Sequence, residues 1–104
     1  MYELRINPMA KQDLLKIKAY ITEELENPEA AVDVVAGIID SYQRLKDFPQ
    51  MGRKLSSRIE VTTDYRYLIS GKYIIFYKME DIYISIYRIL YGKRDYTKLL
   101  WEEE

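Results

Sequence analysis

Arginine and tyrosine are the side chains of this chain that could hold an anion or move a proton. Its 104 residues include neither histidine nor cysteine. Thiolate nucleophiles, thiolate metal sites and the usual neutral-pH proton carrier are therefore ruled out, and no metal or cofactor is expected. Acid–base work would fall to Tyr, Lys, Arg and the carboxylates. Arg88 breaks a strand pattern in which Ile82, Ile84 and Ile86 share one face and Tyr83, Ser85 and Tyr87 the other. It falls on the isoleucine side while Ile89 falls on the tyrosine side. Either the strand bulges there, or Arg88 leaves the end of the core face for a concavity. In either case it is a candidate target contact or the structural partner of a buried carboxylate or carbonyl. Arg94 lies in the charged turn Gly92-Lys93-Arg94-Asp95, where the plainer reading is a surface pair with Asp95, worth little.

Arg53, Lys54 and Arg58 form a basic run that would help hold an acidic partner segment or a target, against the simpler reading of solvated loop charge. Eight of the eleven tyrosines lie between Tyr65 and Tyr96. They would serve as a stacking platform for bases, although tyrosine is also simply a good strand residue. The formal net charge of −1 hides an asymmetry. Residues 1 to 52 carry 6 Lys and Arg against 9 Asp and Glu, residues 53 to 98 carry 10 against 5, and Glu102, Glu103 and Glu104 end the chain. An anionic partner is thus expected on the C-terminal half. The overall acidity disfavours tight binding to ribosomal RNA.

Positioning these side chains falls to a short series of elements. Tyr2, Leu4 and Ile6 alternate with Glu3 and Arg5, the period of a half-buried strand. Asn7-Pro8 and Asn27-Pro28 each predict a helix start, with Asn capping an orphan N–H and Pro at a position that needs none. The first stripe is Ala10, Leu14, Ile17, Ile21 and Leu25, with Lys11, Asp13, Lys18 and Glu24 on the polar face. The second stripe is Ala31, Val34, Val35, Ile38, Tyr42 and Leu45, ending at Phe48-Pro49. So short a connection makes the helices an antiparallel hairpin. Residues 49 to 54 read as a loop. Strands are predicted over 61–69, 73–79 and 82–90, joined by tight turns at Ser70-Gly71-Lys72 and Glu80-Asp81. In the middle strand the even positions Ile74 and Phe76 are the expected core set.

The expectation is one α+β domain spanning 1–104, ordered β-α-α-β-β-β, with an N-terminal strand and a helical hairpin packed on a small antiparallel sheet. A shared core of Ala10, Leu14, Ile17, Ile38, Leu45, Ile75, Ile84 and Ile86 is predicted. No apolar run approaches the roughly 20 residues of a membrane span, and the start is unlike a signal peptide, so no membrane contact and a cytoplasmic location are expected.

The chain resembles the RelE/ParE toxins of type II toxin–antitoxin systems. The resemblance rests on the element order and on Pro49-x-x-Gly52, Arg66-x-Leu68, Gly71-x-Tyr73-x-Ile75-x-Tyr77 and Ile86-x-Arg88-Ile89-Leu90-x-x-x-Arg94-Asp95. It implies a plasmid-stabilisation or addiction toxin, a cognate antitoxin as partner, and operator DNA reached only through that antitoxin. The RelE branch is implied to cleave messenger RNA on the ribosome, the ParE branch to inhibit DNA gyrase without cleaving anything. RelE-like members carry two lysines near the positions of Tyr65, Arg66 and Tyr67, an arginine where Ile74 stands, and a tyrosine where Leu100 stands. The resemblance therefore points to the ParE branch and to no catalytic residue. Arg53, Lys54, Arg58, Arg66, Arg88, Lys93 and Arg94 are the candidate target or antitoxin contacts. In the alternative, a metal-independent ribosome-dependent endoribonuclease, Arg66, Arg88, Arg94, Tyr91 and Tyr96 would carry the phosphate chemistry.

Overall fold

The computed structural model describes residues 2–57 and 63–92. Strand β1 (Glu3–Ile6) leads into helix α1 (Pro8–Ala19), which widens into a single π-type turn over Tyr20–Glu24, and α2 (Pro28–Gln43) follows. Both Asn-Pro starts form as the sequence predicts. The Asn7 side chain accepts the N–H of Met9 at 2.8 Å, and the Asn27 side chain that of Ala30 at 3.1 Å. The predicted second helix stops earlier than Phe48, passing at Arg44–Lys46 into one tight 3₁₀ turn that still buries Leu45.

Strands β2 (Arg53–Lys54), β3 (Arg66–Ser70), β4 (Tyr73–Glu80) and β5 (Tyr83–Tyr91) complete one sheet in the order β1-β5-β4-β3-β2. The three long strands form the expected antiparallel hairpins. Two features were not legible. β1 lies parallel to β5, pairing Leu4 with Ile84 and Ile6 with Ile86, which makes the sheet mixed. The stretch read as a loop contributes a two-residue edge strand, β2. Of the strand predicted over 61–69, residues 61 and 62 lie outside the described residues, and the described strand begins at Arg66.

Tight turns need residues that tolerate positive φ. Gly71 stands at +59° between β3 and β4, and Asp81 at +58° between β4 and β5; Asp accepts that geometry better than most side chains. Ile82, expected on the core face, sits in the second turn and is exposed.

The helical hairpin covers one face of the sheet. Ala10, Ile38, Tyr42, Leu45, Ile75, Tyr77, Ile84, Ile86 and Ile89 are buried together, with Leu14 and Ile17 packed against them half-buried. Burial of one such isoleucine contributes about 1.5–3 kcal/mol. The opposite face holds a second cluster, Leu55, Tyr67, Ile74, Phe76 and Leu90. The middle strand is therefore buried on both sides. Its helix-facing residues are the odd-numbered Ile75 and Tyr77, and the expected set Ile74 and Phe76 belongs to the far face.

A bulge reconciles Ile86 and Ile89 on one face. Tyr77 pairs with Ile86 and Phe76 with Arg88, so the register steps past Tyr87 and the parity of inward-facing residues changes from even to odd.

Candidate functional site

The motif residues turn inward and build two clasps. In the first, the Tyr77 hydroxyl donates to the Pro49 carbonyl and accepts the Gly52 N–H, both at 2.9 Å. Arg66 donates to the Gly52 carbonyl at 2.8 Å and approaches that of Gln50 at 3.5 Å. Gly52 has no room for a Cβ, which would lie 2.8 Å from the Tyr67 carbonyl and closer still to the Tyr77 ring. Three motif fragments far apart in sequence thus meet in one fastening of the loop after α2 to the sheet. Burial raises the Tyr77 pKa, against smaller lowering effects of the Gly52 N–H and the nearby Arg66 charge.

In the second clasp Arg88 meets Asp13. Both are 7% exposed. Arg88 Nε and Nη2 donate to the two carboxylate oxygens at 2.8 and 3.0 Å, and the backbone N–H of Ile89 donates to Asp13 Oδ2 at 2.9 Å. β1 ends opposite Ile86, so beyond that point β5 has no strand neighbour on this side. Asp13 takes the ladder hydrogen bond that a further strand would have taken. Of the two roles the sequence offers for Arg88, target contact or structural partner of a buried carboxylate, the geometry shows the second.

Asp13, expected on the polar face of α1, is buried instead, because its carboxylate is the partner of Arg88 and the Ile89 N–H. The signal was present: Asp13 is three residues after Ala10 and four before Ile17, inside the apolar stripe. Leu25, by contrast, belongs to that stripe by spacing yet is 56% exposed, because the π-type turn ends the helix before it.

That exposed end forms the rim of an open groove. A cavity of about 610 Å³ lies between α1 and the ends of β4 and β5, lined by Asp13, Lys16, Ile17, Tyr20, Leu25, Lys72, Tyr73, Ile89, Leu90 and Tyr91. A second hollow of about 440 Å³ continues it toward α2 and the Gly71 turn, sharing Leu25, Lys72 and Tyr73. Together they make one largely apolar trough with Lys16 and Lys72 along it and Asp33 on its α2 side. Tyr73 and Tyr91 meet edge-on, ring centroids 5.8 Å apart. Burial, then the neighbouring hydroxyls of Tyr91 and Tyr20, raise the Tyr73 pKa.

The remaining predicted residues divide clearly. Arg53 and Lys54 are exposed on β2, opposite Tyr67 and Arg66 and away from the trough-lining residues. Tyr91 lines the trough. Arg58, Lys93, Arg94 and Tyr96, with Leu100, lie outside the described residues. Where RelE-like chemistry has an arginine, Ile74 is buried among Phe76, Leu90, Leu55 and Tyr67. Of the nearby lysine-type positions, Tyr67 is buried in that cluster, Tyr65 stacks on Tyr87 and Arg66 holds the loop. Among the described residues no group of three or more carboxylates could hold a metal ion, and no helix is long and apolar enough to cross a membrane.

Comparison with known proteins agrees with this architecture. Residues 4–96 match the family described as ParE toxin of type II toxin–antitoxin system, parDE. No curated protein matches the chain. Among solved structures, one described as the chromosomal ParDE TA system from P. aeruginosa superposes with a TM-score of 0.76 at 22% identity, covering 89% of this chain and 98% of that chain. At that identity the likeness speaks for the fold. The family match runs over nearly the whole sequence, and with it the chain belongs to the ParE toxins of type II toxin–antitoxin systems.

Proposed function

We propose that this ParE-family toxin inhibits DNA gyrase without cleaving nucleic acid, acts in the cytoplasm, and is held inactive by a cognate antitoxin. The observation that carries the non-catalytic reading is Ile74, buried in an apolar cluster where RelE-like chemistry needs a cation at the scissile phosphate. Two further cations of the alternative mechanism are engaged elsewhere. Arg88 is spent on Asp13, and Arg66 on the carbonyls of the loop. Gyrase as the target is what the resemblance to the ParE branch implies.

The trough suits the antitoxin. Its apolar floor and its two lysines fit an amphipathic helix carrying acidic residues beside its apolar anchors, set toward Lys16 and Lys72 and away from Asp33. A strand added along the end of β5 would have to displace Asp13 from the Ile89 N–H. Operator DNA would be reached through the antitoxin.

The test pairs two assays on the purified chain: supercoiling by gyrase, and messenger RNA integrity in a translating extract from the same source. Inhibited supercoiling with stalled cleavage complexes and intact messenger RNA is the expected result. Cuts at the ribosomal A site, abolished by Arg94→Ala, with supercoiling untouched, would establish the ribonuclease instead.

A further inference from the structure

The loop that leaves α2 is fastened through its backbone while its largest side chains stay outside. The Phe48 N–H donates to the Arg44 carbonyl at 3.0 Å, and the Phe48 carbonyl accepts the Met51 N–H at 3.1 Å, closing a tight turn. The first clasp then holds the middle and the far end, through Tyr77 to Pro49 and Gly52 and through Arg66 to Gly52. Gly52 is packed too closely against Tyr77 to be replaced by a larger residue. Phe48 is nevertheless 65% exposed and Met51 43%. They stand at the two ends of one braced turn.

Single exposed apolar residues are ordinary, but two large ones on a turn of fixed shape form a surface ready for a partner. A loop already ordered loses little conformational entropy on binding. Phe, Met and Arg are also the residue types enriched at protein interfaces. Arg53 and Lys54 follow directly, both exposed on the β2 edge, and Asp47 is the single carboxylate between Lys46 and Lys54. The turn is therefore an apolar knuckle with a mainly basic rim. It is also remote from the trough, which runs beside the N-terminal half of α2, whereas the loop leaves the other end of that 16-residue helix. Such a helix is roughly 24 Å long.

We propose that the turn from Phe48 to Met51, with Arg53 beside it, is the surface that seats the toxin on its target protein. Phe48 and Met51 enter an apolar pocket, and carboxylates at the rim of that pocket meet Arg53. Gyrase as the target rests on the reading above; the chemistry of the contact does not. A folded protein suits this surface better than nucleic acid, because the turn offers apolar area for burial and few cations for phosphates. Target and antitoxin then occupy different ends of the molecule.

Three measurements on the full-length chain test this: inhibition of gyrase supercoiling, growth arrest on induction without antitoxin, and calorimetric titration with the antitoxin. Phe48→Asp and Met51→Asp should each weaken supercoiling inhibition at least about tenfold and relieve growth arrest, with antitoxin affinity within about twofold of wild type and an unchanged melting curve. Phe48→Leu, which keeps an apolar group, should stay close to wild type. Arg53→Glu should weaken inhibition more at low salt than at high salt. Leu15→Asp, on α1 and 67% exposed, should change nothing. Full toxicity of both aspartate variants of the turn would overturn the proposal. So would lost antitoxin binding with toxicity intact, or an equal loss of toxicity in Leu15→Asp. Growth arrest by the wild-type chain with supercoiling untouched would sink the gyrase reading alone, and growth arrest across the same variants then decides the role of the turn.

Discussion

Asp13 on α1 and Arg88 on β5 are joined across 75 positions of sequence by two hydrogen bonds of 2.8 and 3.0 Å, in a setting from which water is nearly excluded. The pair fastens the first helix to the last described strand at the point where β1 no longer flanks it. Removing one partner leaves a buried charge uncompensated. Arg88→Ala and Asp13→Ala are each expected to cost about 3–5 kcal/mol in urea denaturation. The double replacement Asp13→Leu with Arg88→Met should cost less than either single variant, because it removes both charges together. Additive losses in the double variant would show that the two side chains are not coupled.

Tyr77 and Gly52 give a second stability prediction with a pH dependence. Tyr77→Phe leaves the buried Gly52 N–H without its acceptor and should cost about 1–3 kcal/mol. In the folded chain burial holds the Tyr77 pKa above its ordinary 10.0. A group whose pKa is raised on folding contributes stability that is present below its unfolded value and is lost as pH climbs through the folded one. Tyr42 and Tyr73 are shifted the same way. Stability should therefore fall steeply above about pH 10, and less steeply in Tyr77→Phe. Melting temperatures across the alkaline range decide this, and identical profiles for the two proteins would refute it.

Ile38 lies fully buried where α2 meets the sheet. Ile38→Ala should cost about 2–5 kcal/mol through lost transfer energy and the cavity left behind. A loss under roughly 1 kcal/mol in equilibrium unfolding would mean that the helix–sheet packing differs from that described.

Ile74→Arg probes the relation between the two toxin branches. Restoring the cation of the RelE-like pattern should not restore cleavage, because the position is enclosed by Phe76, Leu90, Leu55 and Tyr67. An unpaired guanidinium there should instead lower the melting temperature by several degrees or prevent folding. A stable variant that cuts ribosome-bound messenger RNA would contradict this.

For the trough, Tyr20→Glu and Leu25→Glu are expected to weaken antitoxin binding at least about tenfold each, since they place charge on the apolar seat of the partner helix. Both side chains are more than half exposed, at 54% and 56%, so folding should be unaffected. Calorimetric titration with the antitoxin, alongside growth assays with and without it, separates the two effects. Full neutralisation of both variants would move the antitoxin to another surface.

What the sequence determined by itself are features carried by short-range chemistry. Asn7-Pro8 and Asn27-Pro28 set the helix starts because the cap and the missing N–H act within one turn. Gly71 and the alternating isoleucines and tyrosines of the C-terminal half produced the antiparallel hairpins, since turn conformation and pleat are local. Only tertiary structure decided the roles of the motif residues. Nothing near Arg88 in sequence announces Asp13, and nothing near Gly52 announces Tyr77, because each contact depends on how far one element slides against another. The bulge at Tyr87 shifted the inward-facing register by one residue, and the parallel seat of β1 left the end of β5 open for the Asp13 carboxylate. Both of those outcomes depend on packing across the whole sheet. They are the reason Arg66 and Arg88 brace the fold, while the trough is lined largely by apolar and aromatic side chains that resemble core residues in the sequence.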